Sequence, residues 1–333
     1  MTIMTMKEAL NTTLHKMMHQ DGNIIVFGED VVGGSGLNGN KPLGGIFGVT
    51  SGLKETFGPN RVFDTPISET SFIGMATGAA MTGLRPVVEL MFCDFMGVCF
   101  DQIINQAAKA RFVSGGINSA PMVIRTTVGA GDGSAAVHSQ SLGHLVASIA
   151  GLYVAMPSSP KQAASLLQSA ILCDDPVIFL EPKGLYGTKE DVPDNLKPTP
   201  IGKGRTLMAG SDVTVVAFST MVNKAENVAN ELSKHGISID LIDPQWAAPL
   251  DIELILSSVT RTGRLVVVDE GAAHVGLSAE VISQVTQRGF DVMKCAPVAI
   301  TPPHTPVPYS KKLEDAWMPS ENDIEAVIHE ILK

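Results

Sequence analysis

Glu69 stands where a β-branched, apolar run, "RVFDTPIS" (61–68), meets a segment of small residues, "FIGMATGAA" (72–80). Two readings of that carboxylate are open. At the start of a helix it is stabilised by unpaired N–H groups and by the dipole. At the carboxyl end of a strand in an open α/β sheet, it lies where ligands bind. The helix that follows favours the second reading. Gly74 and Gly78 are four apart, with Ala76, Ala79 and Ala80 beside them. So smooth a face lets another backbone approach closely, as at a subunit interface. A carboxylate beside such an interface is dry and makes a strong hydrogen bond.

Three further stretches could do chemistry. His138, in "AAVHSQS", sits in a Gly/Ala-rich loop after a strand. A loop histidine is ordinarily a solvated side chain, yet loops held by a rigid sheet are where proton-transfer groups sit. His144, in "SLGHLVAS", reads as a packed helix residue. In "ELMFCDFMG" (89–97), Phe92 and Phe95 either pack a core or form the flat wall of a cofactor pocket. "GSGLNG" (34–39) fits G-x-G-x-x-G, but the dinucleotide reading needs a helix straight after it. The chain continues "NKPLGGIFG", which cannot open one, so a glycine-rich loop is the better reading.

These residues need strands and helices to hold them. "NIIVFGED", "RVFDTPIS", "RPVVELMF", "APMVIRTTV", "LYVAMPSS" and "PVIFLEP" are short apolar runs bounded by turn residues, with helical stretches between several of them. One helix is expected over 70–82, and another through "FDQIINQAAKARFVSGG". That alternation predicts a parallel sheet covered on both faces. Met6, Leu10, Leu14 and Met17 recur at helical spacing and open the fold. A second unit repeats the pattern from "DVTVVAFS" to "GRLVVVDE". It ends in a helix after Ser320, with Asp323 as a capping-box carboxylate. The expected fold class is α/β in two domains, each a mainly parallel sheet flanked by helices. The boundaries read as 1–185, a Gly/Pro/Lys/Asp-rich linker 186–211, and 212–333.

Composition narrows the function. The chain has 333 residues, 44% hydrophobic and 17% charged, which suits a protein that buries surface against partners. Its net charge is −10 and no Lys/Arg run reaches five residues, which argues against a nucleic-acid surface. No run of 18 apolar residues suggests a membrane span. The start lacks signal-peptide and transit patterns. Cys93, Cys99, Cys173 and Cys295 form no CxxC pair and read as buried thiols. A bacterial cytoplasmic protein is the expectation.

In order along the chain, "GED", "GGIFGVTSGL", "RVFDTPISE", "GLRPVVELMFCDF", "DQIINQAAK", "AAVHSQS", "PVIFLEPKGLYG" and "LEDAWMPS" resemble one family. It is the beta subunit of the thiamine-diphosphate-dependent dehydrogenase component of 2-oxo acid and acetoin dehydrogenase complexes. "GGIFGVT", "MFCDFMGVCFDQ" and "ITPPHTPVPYS" are most similar to the acetoin branch. The resemblance implies a pyrimidine-binding domain and a transketolase C-terminal-like domain. It also implies an α2β2 heterotetramer whose alpha subunit holds magnesium and the diphosphate, and a lipoyl-bearing acyltransferase partner. In such enzymes a GDG followed downstream by Asn binds the metal. Here "GDG" (131–133) has no Asn in reach, which fits that division.

The resemblance also assigns residues. Glu69 matches the activating glutamate that hydrogen-bonds N1′ of the aminopyrimidine and favours its imino tautomer. Phe95 matches the aromatic packed on that ring, and Met91 and Ile67 its neighbours. His138 matches the active-site histidine that handles protons on the way to lipoamide. A potassium site of mainly backbone oxygens maps to Met122, Ala170, Ile171, Cys173 and Asp175, with Cys173 replacing a usual Asp. The expected reaction cleaves acetoin, releases acetaldehyde and passes a two-carbon unit to lipoamide. The alternatives are pyruvate or another 2-oxo acid as substrate, a nicotinamide enzyme built on "GSGLNG", and a non-catalytic assembly subunit.

Overall fold

The computed structural model describes residues 2–33 and 44–333. "GSGLNG", and with it most of the glycine-rich insert at 33–45, lies outside the described residues. In chain order come β1 (Thr2–Thr5), α1 (Met6–Gln20), β2 (Ile24–Gly28), α2 (Leu53–Phe57), β3 (Val62–Asp64) and α3 (Glu69–Met81). β4 (Arg85–Phe92), α4 (Met96–Asp101), α5 (Ala110–Val113), β5 (Val123–Val128) and α6 (Gly143–Ala147) follow. β6 (Tyr153–Ala155), α7 (Pro160–Leu172), β7 (Val177–Pro182) and β8 (Lys189–Val192) complete this stretch. The first of two compact units comprises Met1–Thr127, Val146–Glu181 and Leu185–Pro200.

Its elements form for local reasons. Thr5 caps α1: its hydroxyl accepts from the Glu8 N–H, and the Glu8 carboxylate accepts from the Thr5 N–H at 2.7 Å. Met6, Leu10, Leu14 and Met17 are buried, as their spacing predicts. Each such side chain contributes about 1.5–3 kcal/mol. Strands of the main sheet run in the order β6-β7-β5-β4-β2-β3. The pairs β2–β3, β2–β4, β4–β5 and β6–β7 are parallel. All five residues of β2 are buried, as in a strand covered on both faces. Because β2, β3 and β4 are parallel neighbours, the residues just after them share one edge. Gly28 allows that edge to close: a Cβ there would lie 2.5 Å from the Glu89 carbonyl oxygen.

The second unit comprises Val128–Leu145, Pro182–Gly184 and Ile201–Lys333. It holds β9 (Arg205–Met208), β10 (Val213–Ala217), α8 (Thr220–Ser233), β11 (Ile239–Asp243), β12 (Trp246–Ala248) and α9 (Ile252–Thr262). β13 (Leu265–Val268), α10 (Leu277–Gly289), β14 (Val298–Ile300), α11 (Lys311–Trp317) and α12 (Glu321–Ile331) follow. The sheet order is β14-β13-β10-β11-β9, with β9 antiparallel to β11 and the other pairs parallel. Val215, Leu241 and Val266 of the sheet pack with Val228 of α8 and with Ile324 and Ile328 of α12. Ser320 and Asp323 form the expected capping box.

Three local features differ from the sequence reading. The stretch read as a linker carries two strands: β8 pairs antiparallel with β1, and β9 joins the second sheet. Their backbone groups thus find partners that composition does not reveal. The helix expected after β4 is broken. A 3₁₀ turn (Cys93–Phe95) precedes α4, Cys99 leaves helical geometry, and a π-helical turn (Gln102–Ala107) precedes α5. The third is a set of elements that the sequence reading did not place: β1, β12, β14, α2, α9 and α11. Among the described residues, no helix is long and apolar enough to cross a membrane.

Candidate active site

The shared edge of β2, β3 and β4 carries four of the predicted residues. Glu69 is the first residue of α3 and is half-buried. Its N-cap, Ser68, makes no capping bond to the helix; its hydroxyl pairs with that of Ser71 at 2.8 Å. Glu69 acts electrostatically on two neighbours. Burial raises the Glu29 carboxyl above its ordinary pKa, and Asp30 and Glu69 raise it further. The Cys99 thiol is pushed up to about 12 by burial and by the Glu69 carboxylate. The edge therefore places a second carboxyl group, Glu29, beside Glu69, and the shift toward retaining a proton falls on Glu29.

Apolar side chains complete this edge. Phe95 is half-buried and meets Phe92 edge to face, with ring centroids 5.6 Å apart. Met91 is buried, and its carbonyl accepts from the Thr127 hydroxyl at 2.5 Å. Ile67, beside them, is 76% exposed in the single chain. The Thr70 hydroxyl donates to the Val98 carbonyl at 2.7 Å and ties α3 to α4. A Cβ at Gly74 would lie 2.9 Å from Oε1 of Gln102, so part of the smooth face of α3 is used within the chain. Gly78 has open space, and Met75 and Met81 are exposed.

Beneath the edge lies a buried ionic cluster. The Arg125 guanidinium is bidentate on Glu181, at 2.7 and 2.9 Å, and donates to Glu89 at 2.9 Å. Tyr186 donates its hydroxyl to Glu181 at 2.6 Å. Burial opposes charge on Arg125, but the two carboxylates outweigh it and hold its pKa above the ordinary value. Burial and the neighbouring Glu181 leave the Glu89 carboxyl raised despite Arg125.

His138 lies in the second unit, on a loop fixed by acids. Glu270 follows β13, is buried, and accepts from the Ala130 N–H and the Thr220 hydroxyl, both at 2.5 Å. Burial raises its pKa against those two bonds. The N–H groups of Gly131 and Gly133 donate to Oε1 of Glu314, at 2.8 and 3.2 Å. The Lys183 ammonium donates to Asp132 at 3.0 Å and to the His138 carbonyl at 2.5 Å. Asp132, though partly buried, is held below its ordinary pKa by Lys183 and Ser134. The GDG amides thus bind a carboxylate of their own chain. A cavity of about 520 Å³ lies beside the loop, lined by Val137, Leu142, His144, Glu270, His304 and Trp317 among others. His144 is half-buried at the start of α6, and burial lowers its pKa.

Residues 3–189 match the transketolase pyrimidine binding domain and residues 202–324 the transketolase C-terminal domain. The chain is 45% identical over 331 residues to the acetoin:2,6-dichlorophenolindophenol oxidoreductase subunit beta of Cupriavidus necator, covering 99% of this chain and 98% of that one. The chain belongs to this family of dehydrogenase beta subunits. The Bacillus subtilis protein of the same name is 43% identical, covering 99% of this chain and 97% of that one. The pyruvate dehydrogenase E1 component subunit beta of Staphylococcus epidermidis is 38% identical, covering 97% of each chain. A solved split-gene transketolase, described as an inactive beta4 tetramer, shares the fold at a TM-score of 0.79 and 23% identity, covering 99% of this chain and 98% of that one.

For a beta subunit, the structure groups Glu69, Ile67, Met91 and Phe95 on the first unit and places His138 on the second. Glu29 escaped the sequence reading as a site residue. Its signal was positional: it follows a buried strand directly, as Glu69 follows β3. Glu314 also escaped, since nothing in "LEDAW" announces a carboxylate that reaches residues 131–133. The residues mapped to potassium lie in the first unit, where four of their carbonyls and the Asp175 carboxylate are engaged by neighbours. Met122 O accepts from Val177 N–H at 2.9 Å, and Ala170 O from Cys173 N–H at 3.3 Å. Arg85 Nη1 donates to Ile171 O at 3.0 Å and to Cys173 O at 2.9 Å. Asp175 pairs with Arg111 at 2.6 Å.

Proposed function

We propose that this chain is the beta subunit of a thiamine-diphosphate-dependent acetoin dehydrogenase, and that Glu69 is its activating acid. One observation carries the role of Glu69: it opens α3 at the strand-end edge beside Glu29, whose carboxyl is biased toward its protonated form. The donor set fits an aminopyrimidine, a flat heterocycle with ring nitrogens that a carboxyl can bridge. When bound, thiamine diphosphate supplies a nucleophilic carbon and an electron sink for C–C cleavage. Glu69 would hold a proton shared between its carboxyl and the pyrimidine N1′. Phe95 and Met91 give the ring an apolar wall, and Ile67 awaits cover from a partner. His138, on its acid-braced loop, moves protons at the substrate oxygen and at the acceptor thiol.

Beta subunits of this family work with an alpha subunit and an acyltransferase. We assign magnesium and the diphosphate to the alpha subunit, because the GDG amides of this chain already hold Glu314. We expect an α2β2 assembly acting in the bacterial cytoplasm, with its product passed to lipoamide. Exposed Phe112, Val113 and Ile117 support a partner-covered surface. The runner-up substrate is pyruvate, since relatives of that name are 38% identical. The assay is turnover of the purified α/β complex with an artificial electron acceptor, on acetoin and on pyruvate. We expect acetoin turnover, and loss of about 10²–10⁴-fold in Glu69→Gln with assembly intact. Activity on pyruvate alone rejects the substrate. Assembly with normal turnover in Glu69→Gln rejects the acid–base role.

A further inference from the structure

The family resemblance implies a potassium ion held by backbone oxygens near the end of α7. The residues at those positions do not fit one. We infer that the guanidinium of Arg85 takes the place of that cation, so the subunit carries its own positive charge there and has no use for potassium.

A carbonyl cage binds potassium by replacing its hydration shell with several converging oxygens. Here the oxygens are already turned to donors of the chain. Arg85 Nη1 bridges Ile171 O and Cys173 O, at 3.0 and 2.9 Å. Its Nη2 reaches Asp174 at 2.6 Å. Arg111 takes the neighbouring acid, Asp175, and also donates to Asp174 O at 3.2 Å. Met122 O and Ala170 O are engaged by Val177 and Cys173 N–H groups. Ile171 and Cys173 mark the carboxyl end of α7, where terminal carbonyls lack intrahelical partners and a cation is favoured. Arg85 answers that need with a planar fork: Nη1 takes both carbonyls and Nη2 holds the Asp174 carboxylate. Each carbonyl keeps a second lone pair. An ion placed on it, however, would lie within a few ångströms of a fixed guanidinium of the same sign.

Arg85 opens β4, so the clamp joins the start of that strand to the exit of α7. Replacement of an acid by Cys173 fits the same account. With the cation covalently attached and neutralised by Asp174, a further carboxylate at 173 has no charge to balance.

The test is thermal unfolding of the full chain, freed of potassium and then melted in KCl, NaCl and choline chloride at equal ionic strength. A resident ion present at a hundred times its dissociation constant would raise the midpoint by about 5–10 °C. We expect differences below about 1 °C between the three salts. In parallel, Arg85→Lys keeps the charge but not the fork, and Arg85→Gln removes both. The midpoints should fall in the order wild type, Arg85→Lys, Arg85→Gln. A saturable rise specific to potassium in the wild type overturns the inference. So does an Arg85→Gln midpoint equal to that of the wild type. If Arg85→Gln yields no folded protein, that agrees with the clamp, and the wild-type salt series still decides.

Discussion

Arg125→Met should unfold the first unit far more readily than its modest change in volume suggests. The side chain is 1% exposed and neutralises Glu181 and Glu89 through three hydrogen bonds. Methionine fills most of the space but leaves two acids in an apolar interior. Breaking a buried pair by removing one partner costs about 3–5 kcal/mol. At about 2–4 °C per kcal/mol for a unit of this size, the midpoint drops roughly 6–20 °C. The sign of the pH response follows from the same geometry. Burial already holds the Glu89 carboxyl above its ordinary pKa, and Arg125 is the partner that pulls it down. Without Arg125 its protonated form is favoured further in the folded state, so the variant gains on the wild type as pH falls and loses as pH rises. Urea titrations of both proteins at pH near 5 and 7.5 measure this. A loss under about 1 kcal/mol, or one independent of pH, refutes the cluster as described. Adding Glu181→Leu should recover part of the loss, because the pair is coupled.

Asp269, 2% exposed, has its pKa raised from 3.8 to about 6 by burial, against bonds from the Gly271 and Ser278 amides. Its contribution is fully present below the unfolded value and is lost as pH rises through the folded one. Asp269→Asn should therefore gain on the wild type by about 2–3 kcal/mol between pH 4 and 7, read from denaturation midpoints. Glu314→Gln leaves the amides of Gly131 and Gly133 with a weaker acceptor. Their hydrogen exchange should quicken by about 10–100-fold, while exchange in the first unit stays unchanged. Ser320→Ala removes the cap of α12 and should cost about 1 kcal/mol in chemical denaturation.

The sequence carried the central strands of both sheets and several of the helices, because apolar runs and small-residue stretches have one sensible place in a parallel sheet. It placed Glu69 at the seam between β3 and the helix expected over 70–82, which in the structure begins at Glu69 itself, and Ser320 at the start of α12. What it could not carry was pairing at a distance. β8 looks like linker because Lys189, Glu190 and Asp191 are charged, and only β1 as partner makes it a strand. The break after β4 was also hidden. "FDQIINQAAKARF" has good helical residues throughout, and the π turn begins at Gln102, whose side chain lies against Gly74. Glu89, Arg125 and Glu181 are each one residue in an apolar strand, so their convergence belongs to the sheet order. Arg85 shows the opposite case. A family expectation mapped an ion to Met122 and 170–175, and on the inference above the Arg85 guanidinium answers the need that was assigned to it.

The pairing of β1 with β8 sets a schedule for synthesis. Thr2 lies opposite Val192, so β1 waits for a partner strand that is synthesised much later in the same unit. At about 5–20 residues per second, that delay is on the order of 10–40 s. Throughout it α1 has its own cap, but the edge beside it is unpaired and open to other nascent chains. Slowing translation should therefore favour aggregation of incomplete first units rather than better folding.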